Sequence, residues 1–517
     1  MAEYLLGIDA GTESVRTGVF DLKGNILGFG SFPYETYYKH PAWAEQKVEE
    51  WKIALIKSIE EAIRISRINP QEVIAIGLDA TCCSVVFFDE NNNPTRDPII
   101  WMDVRASEEA KFIESIDDPA RGYNGYSKVS AEWFPCKNLW VKKNQPDIYK
   151  KTKVIAEYTD WLTHELTGEW TLGICTTSVR GYYDNEREGF PKEFYKKIGL
   201  EDIFEKLPNR VLKLGEVAGR LRKEIAEKTG LPEGIPVAQG GADAMIAVIG
   251  LNSLKAGQLA YITGSSHLLL GMSDKRFHKK GLFGTYPDAI IDGTYLIEGG
   301  QTSTGSVLKW FKVNFINKKI EEEAEKEKLS IYEYMNKQAE SLPAGSEGVI
   351  VLEHWQGNRT PYVDPYSRGV IRGLSLKHTP VHIYRAIMEG VAYGTEIILR
   401  TMKKSNFEVK EIIACGGTTH SKLWLQIYAD VTGLPIKRTT TTEAAALGSA
   451  ILGAVAAGKY NSISEAADKM VKFKETISPN MKNNEKYKFY VDQYERTYSA
   501  LKDSAHEISS HVYNLKK

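Results

Sequence analysis

The stretch that most constrains this chain is residues 236–252, PVAQGGADAMIAVIGLN. Its apolar start, residues 235–238, predicts a strand, the paired glycines that follow predict a turn, and a helix is predicted from Ala242 onward. Asp243 then falls in the first turn of a helix, where free backbone N–H groups and the helix dipole favour an ionised carboxylate. Such a carboxylate suits a general base for a hydroxyl group, provided that a phosphoryl group is held opposite it.

Length and charge limit the class of protein. A chain of 517 residues is too long for one hydrophobic core, so two large domains are expected. The net charge of −1 removes the electrostatic argument for a nucleic-acid or anionic-membrane partner. The most apolar run, residues 444–458, is short and rich in Ala and Gly, so it predicts a packed core helix and not a membrane span.

The cysteines indicate the compartment. They are odd in number and show no paired metal spacing: Cys82, Cys83, Cys136, Cys175 and Cys415. Together with the lack of a signal sequence, they predict buried thiols in a reducing cytoplasm.

A first candidate phosphate site lies near the start of the chain. Residues 4–30 predict two strands joined by a turn at residues 10–14, followed by a third strand. Gly11 and Thr12 in this turn can direct backbone N–H groups and a hydroxyl at phosphate oxygens, and Asp9 at the strand end can hold a metal through water. The alternative is a plain hairpin with a solvated tip.

The same pattern returns after Gly250. Residues 257–274 read as a strand, a turn at Thr263, Gly264 and Ser265, and a second strand. Two such hairpins with a carboxylate-bearing corner between them predict duplicated domains that present phosphate-binding turns to a shared cleft.

Two segments are candidates for binding a small polyhydroxylated ligand. Thr81 follows a buried strand at the end where open α/β sheets bind ligands, although a capping role is the alternative. Residues 99–106, IIWMDVRA, are predicted to be extended, which puts Trp101, Asp103 and Arg105 on one side. An aromatic face beside a carboxylate and a guanidinium suits buried hydroxyls. The alternative is an Asp–Arg pair that only fixes a loop.

Residues 295–311 add a further strand, a Gly-rich turn and a helix from about Thr304. Glu298 at the strand end can accept hydrogen bonds from a sugar hydroxyl. Gly305 and Lys309 are candidates for positions beside a nucleotide, although Lys309 is equally consistent with a solvated surface lysine.

Residues 412–436 predict a strand, a turn at Gly416 and Gly417, and a helix. The glycines allow close approach of a flat or phosphorylated group. The pattern is not GxGxxG, and no strand–helix junction carries a dinucleotide fingerprint. Helical spacing also predicts helices over residues 45–68, 317–340, 380–404 and 485–510.

Taken together, these pieces resemble the FGGY family of carbohydrate kinases over nearly the full length. The matching segments, in the family's order and spacing, are GIDAGTESVR, GLDATC, WMDVRA, GGADAMIAVIG, YITGSS, EGGQTSTGSVLKWF and ACGGTTHSKLWLQIYAD. The resemblance implies an α/β fold of two ribonuclease H-like, actin-like ATPase domains, with ATP, Mg²⁺ and a sugar in the cleft between them. Residues 1–250 are the expected sugar-binding domain with the first phosphate turn and the catalytic Asp, residues 251–480 the mainly nucleotide-binding domain, and residues 481–517 a helical tail.

The resemblance also implies roles for single positions. Asp243 is similar to the family's catalytic base and Asp9 to the residue that organises Mg²⁺, with Asp243 as the second candidate metal ligand. The implied nucleotide contacts are the first turn at Gly11 and Thr12, the second turn at Thr263, Gly264 and Ser265, the adenosine side at Gly416, Gly417 and Ser421, and Gly305 with Lys309 near it. The implied sugar contacts are Thr81, Trp101, Asp103, Arg105, Asp243 and Glu298.

The implied activity is ATP-dependent phosphorylation of a primary hydroxyl of a small sugar or polyol. The GLDATC and EGGQ segments look most like the ribulokinase branch, which points to a ketopentose such as ribulose or xylulose. Where a substrate-contacting lysine of ribulokinases is expected, this chain has Arg180, Tyr182 and Tyr183, so the sugar and the roles of these three stay open. A homodimer without nucleic-acid or membrane partners is expected. The alternatives are a sugar- or nucleotide-responsive regulator and a chaperone-like ATPase on the same fold.

Overall fold

The structure is a computed structural model that describes residues 2–124 and 128–514. Its strands are β1 (Tyr4–Ala10), β2 (Ser14–Asp21), β3 (Ile26–Pro33), β4 (Val73–Ala80), β5 (Val85–Phe88), β6 (Val154–Glu157), β7 (Leu172–Gly173), β8 (Val211–Leu212), β9 (Val217–Arg220), β10 (Pro236–Ala238), β11 (Gly241–Ala242), β12 (Gln258–Thr263), β13 (His267–Ser273), β14 (Phe283–Pro287), β15 (Tyr295–Gln301), β16 (Ile350–Leu352), β17 (Val370–Arg372), β18 (Glu411–Gly416), β19 (Ile436–Thr439) and β20 (Phe473–Ile477).

Its α-helices are α1 (Val48–Ser66), α2 (Ser107–Ser115), α3 (Phe134–Asn144), α4 (Pro146–Lys151), α5 (Tyr158–Thr167), α6 (Ile174–Arg180), α7 (Lys192–Lys197), α8 (Lys223–Thr229), α9 (Asp243–Gly250), α10 (Gly305–Phe315), α11 (Lys318–Lys326), α12 (Ile331–Glu340), α13 (Pro380–Lys403), α14 (Lys422–Thr432), α15 (Ala444–Ala456), α16 (Ile463–Met470) and α17 (Met481–Asn514). Short 3₁₀ helices lie at Pro70–Glu72, Pro119–Asn124, Glu201–Glu205, Ser346–Gly348 and Gly417–His420.

The first large sheet brings three strand ends together. Its order is β3-β2-β1-β4-β10-β9, with β11 beside β4. Strand β1 is antiparallel to β2 and parallel to β4, and Asp9 pairs in register with Asp79. Gly241 of β11 also pairs with Asp79, in the parallel direction. The carboxyl ends of β1, β4 and β11 therefore meet at one edge, and α9 with Asp243 starts there.

The second large sheet repeats this arrangement. Its order is β14-β15-β13-β12-β18-β19-β20. Strand β12 is antiparallel to β13 and parallel to β18, and Thr263 pairs with Gly416 at the carboxyl ends of β12 and β18. The repeat of strand, turn and strand that the sequence predicts is confirmed, as is the α/β class. We call the first sheet with its helices the first lobe and the second sheet with its helices the second lobe.

Helix α15, which lies between β19 and β20 of the second sheet in the chain, packs against β1 and β4 of the first lobe. A Cβ added to Gly7 would lie 1.9 Å from the carbonyl oxygen of Ala446, and one added to Gly77 would lie 1.7 Å from that of Ser449. Only glycine lets the helix backbone approach the strands this closely. The predicted packed core helix over residues 444–458 is thus confirmed.

Most other local predictions agree with the structure, including the helices over residues 45–68, 380–404 and 485–510. The charged stretch 317–340 forms two helices, because a capping box between Ser330 and Glu333 starts a new one. The C-terminal helix α17 packs on α13, α14 and β16 and buries Tyr487 and Tyr494. Residues 515–517 of the predicted tail lie outside the described residues.

The prediction of an extended segment over residues 99–106 holds at Ile99, which forms isolated bridges to Glu45 and Val85, but is wrong from Trp101 onward. Residues 101–106 form turns before α2. The Asp103 carboxylate accepts hydrogen bonds from the backbone N–H groups of Ala44 at 2.6 Å and Arg105 at 3.0 Å. Aspartate side chains that bond to nearby backbone in this way favour turns over strands.

All five cysteines are free, and four of them are buried, whereas Cys82 is half-buried. Across the described ranges, no helix combines the length and apolar character needed to cross a membrane.

Candidate active site

A cavity of about 400 Å³ lies between the two lobes. The structure brings seven of the predicted site residues into its lining: Asp9, Thr12, Thr81, Trp101, Asp243, Glu298 and Gly416. These residues come from strand ends, turns and a helix start that lie far apart in the sequence. The cavity therefore has the position predicted for a shared cleft.

Asp243 is the first residue of α9 and is half-buried at the cavity. Its Oδ1 accepts a hydrogen bond of 2.7 Å from the backbone N–H of Ala244. Burial and the negative charge of Asp9 raise the pKa of Asp243 to about 7, while the Ala244 N–H and the positive charge of Arg16 act in the opposite direction. A carboxylate with this pKa can take up a proton near neutral pH.

Asp79 is a buried neighbour that the sequence did not single out as a site residue. It is the next-to-last residue of β4 and lies beside Asp9, and Ser449 of α15 donates a hydrogen bond of 2.6 Å to its Oδ2. Burial and the charge of Asp9 raise the pKa of Asp79 well above its ordinary value. The Ser449 contact also ties the carboxylate edge of the first sheet to helix α15.

The first predicted phosphate turn is closed by a hydrogen bond of 3.0 Å from the Gly11 N–H to the Ser14 carbonyl. Thr12 lines the cavity, and its hydroxyl accepts a hydrogen bond of 2.9 Å from the indole N–H of Trp101. This bond joins the predicted phosphate side of the cavity to the predicted sugar side. Arg16, also in the lining, donates a hydrogen bond to Asp9.

The second predicted phosphate turn lies at the start of α10. Gly264 and Ser265 are exposed, whereas Thr263 is buried and donates a 2.6 Å hydrogen bond to the Cys415 carbonyl. The N–H of Gly305 donates a hydrogen bond of 3.2 Å to the Gly264 carbonyl. The turn, the start of α10 and the end of β18 are therefore held together.

The residues predicted on the adenosine side fall into two groups. Gly416 lines the cavity with a φ of +88°, and Gly417 beside it is exposed, with open space around an added Cβ. Ser421 caps α14 by accepting a hydrogen bond of 3.2 Å from the Trp424 N–H, and Lys309 is exposed on α10. Neither Ser421 nor Lys309 lines the cavity.

Asp103 and Arg105 are not brought to the cavity. Both side chains are fully buried, and Arg105 Nη2 lies 2.7 Å from an oxygen of Asp103 and 2.9 Å from one of Glu45. The Arg105 guanidinium also lies 3.8 Å from the ring centre of Trp43. Because charges this deeply buried need partners, they pair with each other. The structure replaces the predicted substrate contact with the alternative, a pair that fixes the loop.

Glu298 is buried, and its carboxylate is surrounded by donors. Arg180 Nη2 donates to both of its oxygens, at 3.0 and 2.8 Å, and the hydroxyl of Tyr286 donates to Oε2 at 3.1 Å. Arg359 donates to Oε1 as well. Burial alone would raise the pKa of Glu298, but the two guanidinium groups outweigh it and lower the pKa.

The three residues whose roles the sequence left open, Arg180, Tyr182 and Tyr183, differ in whether they reach the cavity. Arg180 and Arg359 line the cavity, whereas Tyr182 and Tyr183 do not. Tyr182 is buried with its ring edge-on to Trp133, at a centroid distance of 5.9 Å. Arg180 is therefore the member of this segment that faces the ligand space.

Sequence reasoning missed several lining or neighbouring residues, among them Arg16, Asp79, Glu132 and Arg359. The position of Arg16 could have been predicted, because a hairpin closed at residues 10–14 pairs Arg16 with Asp9 across the two strands. Glu132 and Arg359 lie in irregular segments, where no periodicity indicates direction.

The lining fits a nucleotide-bound Mg²⁺. Asp9 Oδ1 is buried, and no N–H or hydroxyl group of the described residues donates to it. Mg²⁺ usually takes one or two carboxylates and completes its coordination with phosphate oxygens and water. No cluster of three or more His, Cys, Asp or Glu within the described ranges could hold an ion by itself. Asp9, with Asp243 nearby, matches such a shared site.

Comparison with known proteins agrees with this architecture. The model of the N-terminal domain of the FGGY family of carbohydrate kinases matches residues 4–250, and that of the C-terminal domain matches residues 259–457.

Individual relatives extend over the same length. Ribulokinase of Geobacillus thermodenitrificans is 32% identical over 555 residues, which covers 100% of this chain and 97% of that protein. The solved structure of a ligand-bound xylulose kinase from Lactobacillus acidophilus has a TM-score of 0.87 at 20% identity and covers 98% of this chain and 100% of that one. The xylulose kinase from Rhodospirillum rubrum has a TM-score of 0.86 at 22% identity, with 98% and 100% covered. These structures share the two-domain, actin-like fold, and the chain belongs to the FGGY family of carbohydrate kinases.

Proposed function

We propose that this kinase transfers the γ-phosphoryl group of ATP to a primary hydroxyl of a ketopentose, ribulose or xylulose, with Asp243 as the general base. The observation that carries the proposal is that Asp243, with a pKa raised to about 7, shares one cavity with Thr12, Trp101 and Gly416. The names of the relatives, ribulokinase and xylulose kinase, point to a five-carbon ketose.

In the proposed reaction, the sugar hydroxyl oxygen attacks the γ-phosphorus of ATP, its proton passes to Asp243, and the bond from the γ-phosphorus to ADP breaks. The Ala244 N–H holds Oδ1 of Asp243, which leaves Oδ2 to accept the proton. Because α9 begins at Asp243, its dipole favours the ionised form that a base needs.

The chain supplies groups for the phosphates. Arg16 lines the cavity between Asp9 and Glu443 and has donors for phosphate oxygens. The turns at Gly11–Thr12 and Thr263–Ser265 are the proposed phosphate contacts, and Gly416 with Gly417 is the proposed adenosine contact. Asp9 is the residue proposed to hold Mg²⁺, which would neutralise charge on the transferred phosphoryl group when bound.

On the sugar side, Trp101 offers an aromatic face and Thr81 a hydroxyl. The bond from Trp101 to Thr12 couples the position of this face to the first turn. We expect this coupling to help align the attacking hydroxyl with the γ-phosphorus, since phosphoryl transfer depends mainly on positioning and charge stabilisation. The homodimer stays a prediction.

The test is a coupled ADP-release assay with the purified chain, ATP and Mg²⁺. The two enantiomers of ribulose and of xylulose are compared with pentitols, and ³¹P NMR identifies the product. We expect ADP release that depends on a ketopentose and a phosphate ester at its primary carbon. ATP hydrolysis without sugar and without a phosphorylated product would instead favour a chaperone-like ATPase, and sugar binding without turnover would favour a regulator.

A further inference from the structure

In the cavity wall, the acceptor positions of the Glu298 carboxylate are already occupied by donors of the protein. Four hydrogen bonds reach the Glu298 carboxylate, two from Arg180, one from Arg359 and one from Tyr286. An ionised carboxylate offers about four acceptor positions. Glu298 therefore cannot accept from a sugar hydroxyl unless one of these contacts breaks, and its role is to hold two arginine side chains at the ligand space.

Glu132 is the contrasting residue. It lines the same cavity and is half-buried, two residues before the start of α3. Within residues 2–124 and 128–514, no hydrogen bond or ion pair to its side chain is found. A partly dehydrated carboxylate without a donor is costly, so a ligand that brings hydroxyl groups gains by filling this position.

The position of Glu132 is well defined by its neighbour. Trp133 is 2% exposed, and its ring lies 5.8 Å from the guanidinium carbon of Arg180. The buried indole anchors the backbone beside Glu132, and it does so next to the arginine that Glu298 holds. Glu132 and Arg180 therefore belong to one wall, which we call the charged wall and define as Glu132, Arg180, Glu298 and Arg359.

We propose that Glu132 accepts hydrogen bonds from hydroxyl groups of the sugar and selects neutral ketoses and polyols over sugar acids. In the charged wall the two arginines and the two carboxylates cancel. A neutral sugar can use the arginine donors and the free Glu132 acceptor together. An aldonate would place a second carboxylate near Glu132, where like charges repel in a partly dehydrated site. This inference rests on the proposed sugar kinase function and deepens it.

The test compares Glu132→Gln and Glu132→Asp with the wild type. Glu193→Gln serves as the matched control, because Glu193 is exposed on α7 and away from the cavity. Initial rates are measured with the preferred ketopentose and with pentonate and gluconate, at fixed ATP and Mg²⁺. Isothermal titration of each sugar and the KM for ATP are measured on the same preparations.

We expect Glu132→Gln to raise the KM for the ketopentose roughly tenfold or more, because a hydrogen bond to a charged group is lost. The KM for ATP should not change, and the kcat/KM for the aldonates should itself rise roughly tenfold, since the repelling charge is gone. Glu132→Asp keeps the charge but shortens the side chain, so it should raise the KM for the ketopentose without raising the kcat/KM for the aldonates. Glu193→Gln should behave as the wild type.

An unchanged ketopentose KM and an unchanged preference against aldonates in Glu132→Gln would overturn the inference while leaving the kinase function intact. Failure of the wild-type chain to phosphorylate any ketopentose would instead count against the proposed function. In that case, calorimetric titration of the wild type and Glu132→Gln with the sugar in the absence of ATP still shows whether Glu132 contributes to sugar binding. If Glu132→Gln does not fold, the aldonate preference of Glu132→Asp decides: a gain in aldonate activity there contradicts the charge argument.

Discussion

Arg180 donates hydrogen bonds of 3.0 and 2.8 Å from one nitrogen to both oxygens of Glu298, and thereby joins the first lobe to the second lobe at the cavity. Arg180 ends α6 beside the first sheet, and Glu298 lies in β15 of the second. Both side chains are buried. A cleft that opens must therefore move around this contact or break it.

Replacement of Glu298 by Gln removes the charge that compensates Arg180 and Arg359. Because uncompensated buried charges are costly, we expect the variant to lose roughly 3 kcal/mol of stability. Unfolding in urea should show a lower midpoint, and the KM for the sugar should rise, since the two arginines lose their fixed positions. A midpoint equal to that of Glu193→Gln would contradict the assigned role of the pair.

Replacement of Asp243 by Asn removes the proposed proton acceptor and keeps the shape of the side chain. We expect kcat to fall by a factor of about 10² to 10⁴, the usual contribution of a general base. Calorimetric titration should show that the sugar and ATP still bind. Full turnover by this variant would refute the assignment of Asp243.

The pH dependence of kcat/KM follows from the raised pKa of Asp243. With a pKa of about 7, Asp243 is ionised above that pH and can accept a proton, whereas below it the site is already protonated. We expect kcat/KM for the sugar to fall about tenfold per pH unit as the pH drops below 7. Since the charge of Arg16 lowers this pKa, Arg16→Met should move the acid limb to higher pH. A flat profile between pH 5.5 and about 8 would speak against a base with this pKa.

The two glycines after β18 offer a matched pair of substitutions. Gly416 has a φ of +88°, and an added Cβ would lie 1.9 Å from the Thr263 carbonyl, whereas Gly417 has open space. We expect Gly416→Ala to cost about 1–3 kcal/mol and to distort the second turn. Gly417→Ala should keep the melting temperature and raise the KM for ATP, if adenosine packs there as proposed. Equal melting temperatures for both variants would be inconsistent with the geometry.

Replacement of Arg105 by Met tests the correction at residues 103–105. The guanidinium is buried between Asp103, Glu45 and the ring of Trp43. Its loss should destabilise the first lobe by about 3–5 kcal/mol, because two buried carboxylates lose a partner. The folded fraction should keep its KM for the sugar. A raised sugar KM without a change in thermal stability would restore Arg105 as a substrate contact.

The sequence by itself determined the local strands, turns and helix starts of this kinase. Alternating and continuous apolar runs predicted β1, β2, β12 and β13, and glycines predicted the turns between them, because these features depend on neighbouring residues. The position of Asp243 at a strand-to-helix corner followed from the same local chemistry. Even the repeat of two similar sheets was visible from the return of one pattern after Gly250.

The tertiary structure alone decided which charges face the cavity. Arg180 pairs with Glu298 118 positions away, and Ser449 reaches Asp79 across 370 positions. Asp103 and Arg105 were predicted as ligand contacts but neutralise each other in the protein interior. Glu132, which no sequence pattern indicated, lines the cavity and has no hydrogen-bond or ion-pair partner among the residues that the structure describes. The physical reason is that a buried charge pairs with the opposite charge or donor that the packing of distant segments brings near it. The spacing of residues along the chain does not indicate which partner this will be.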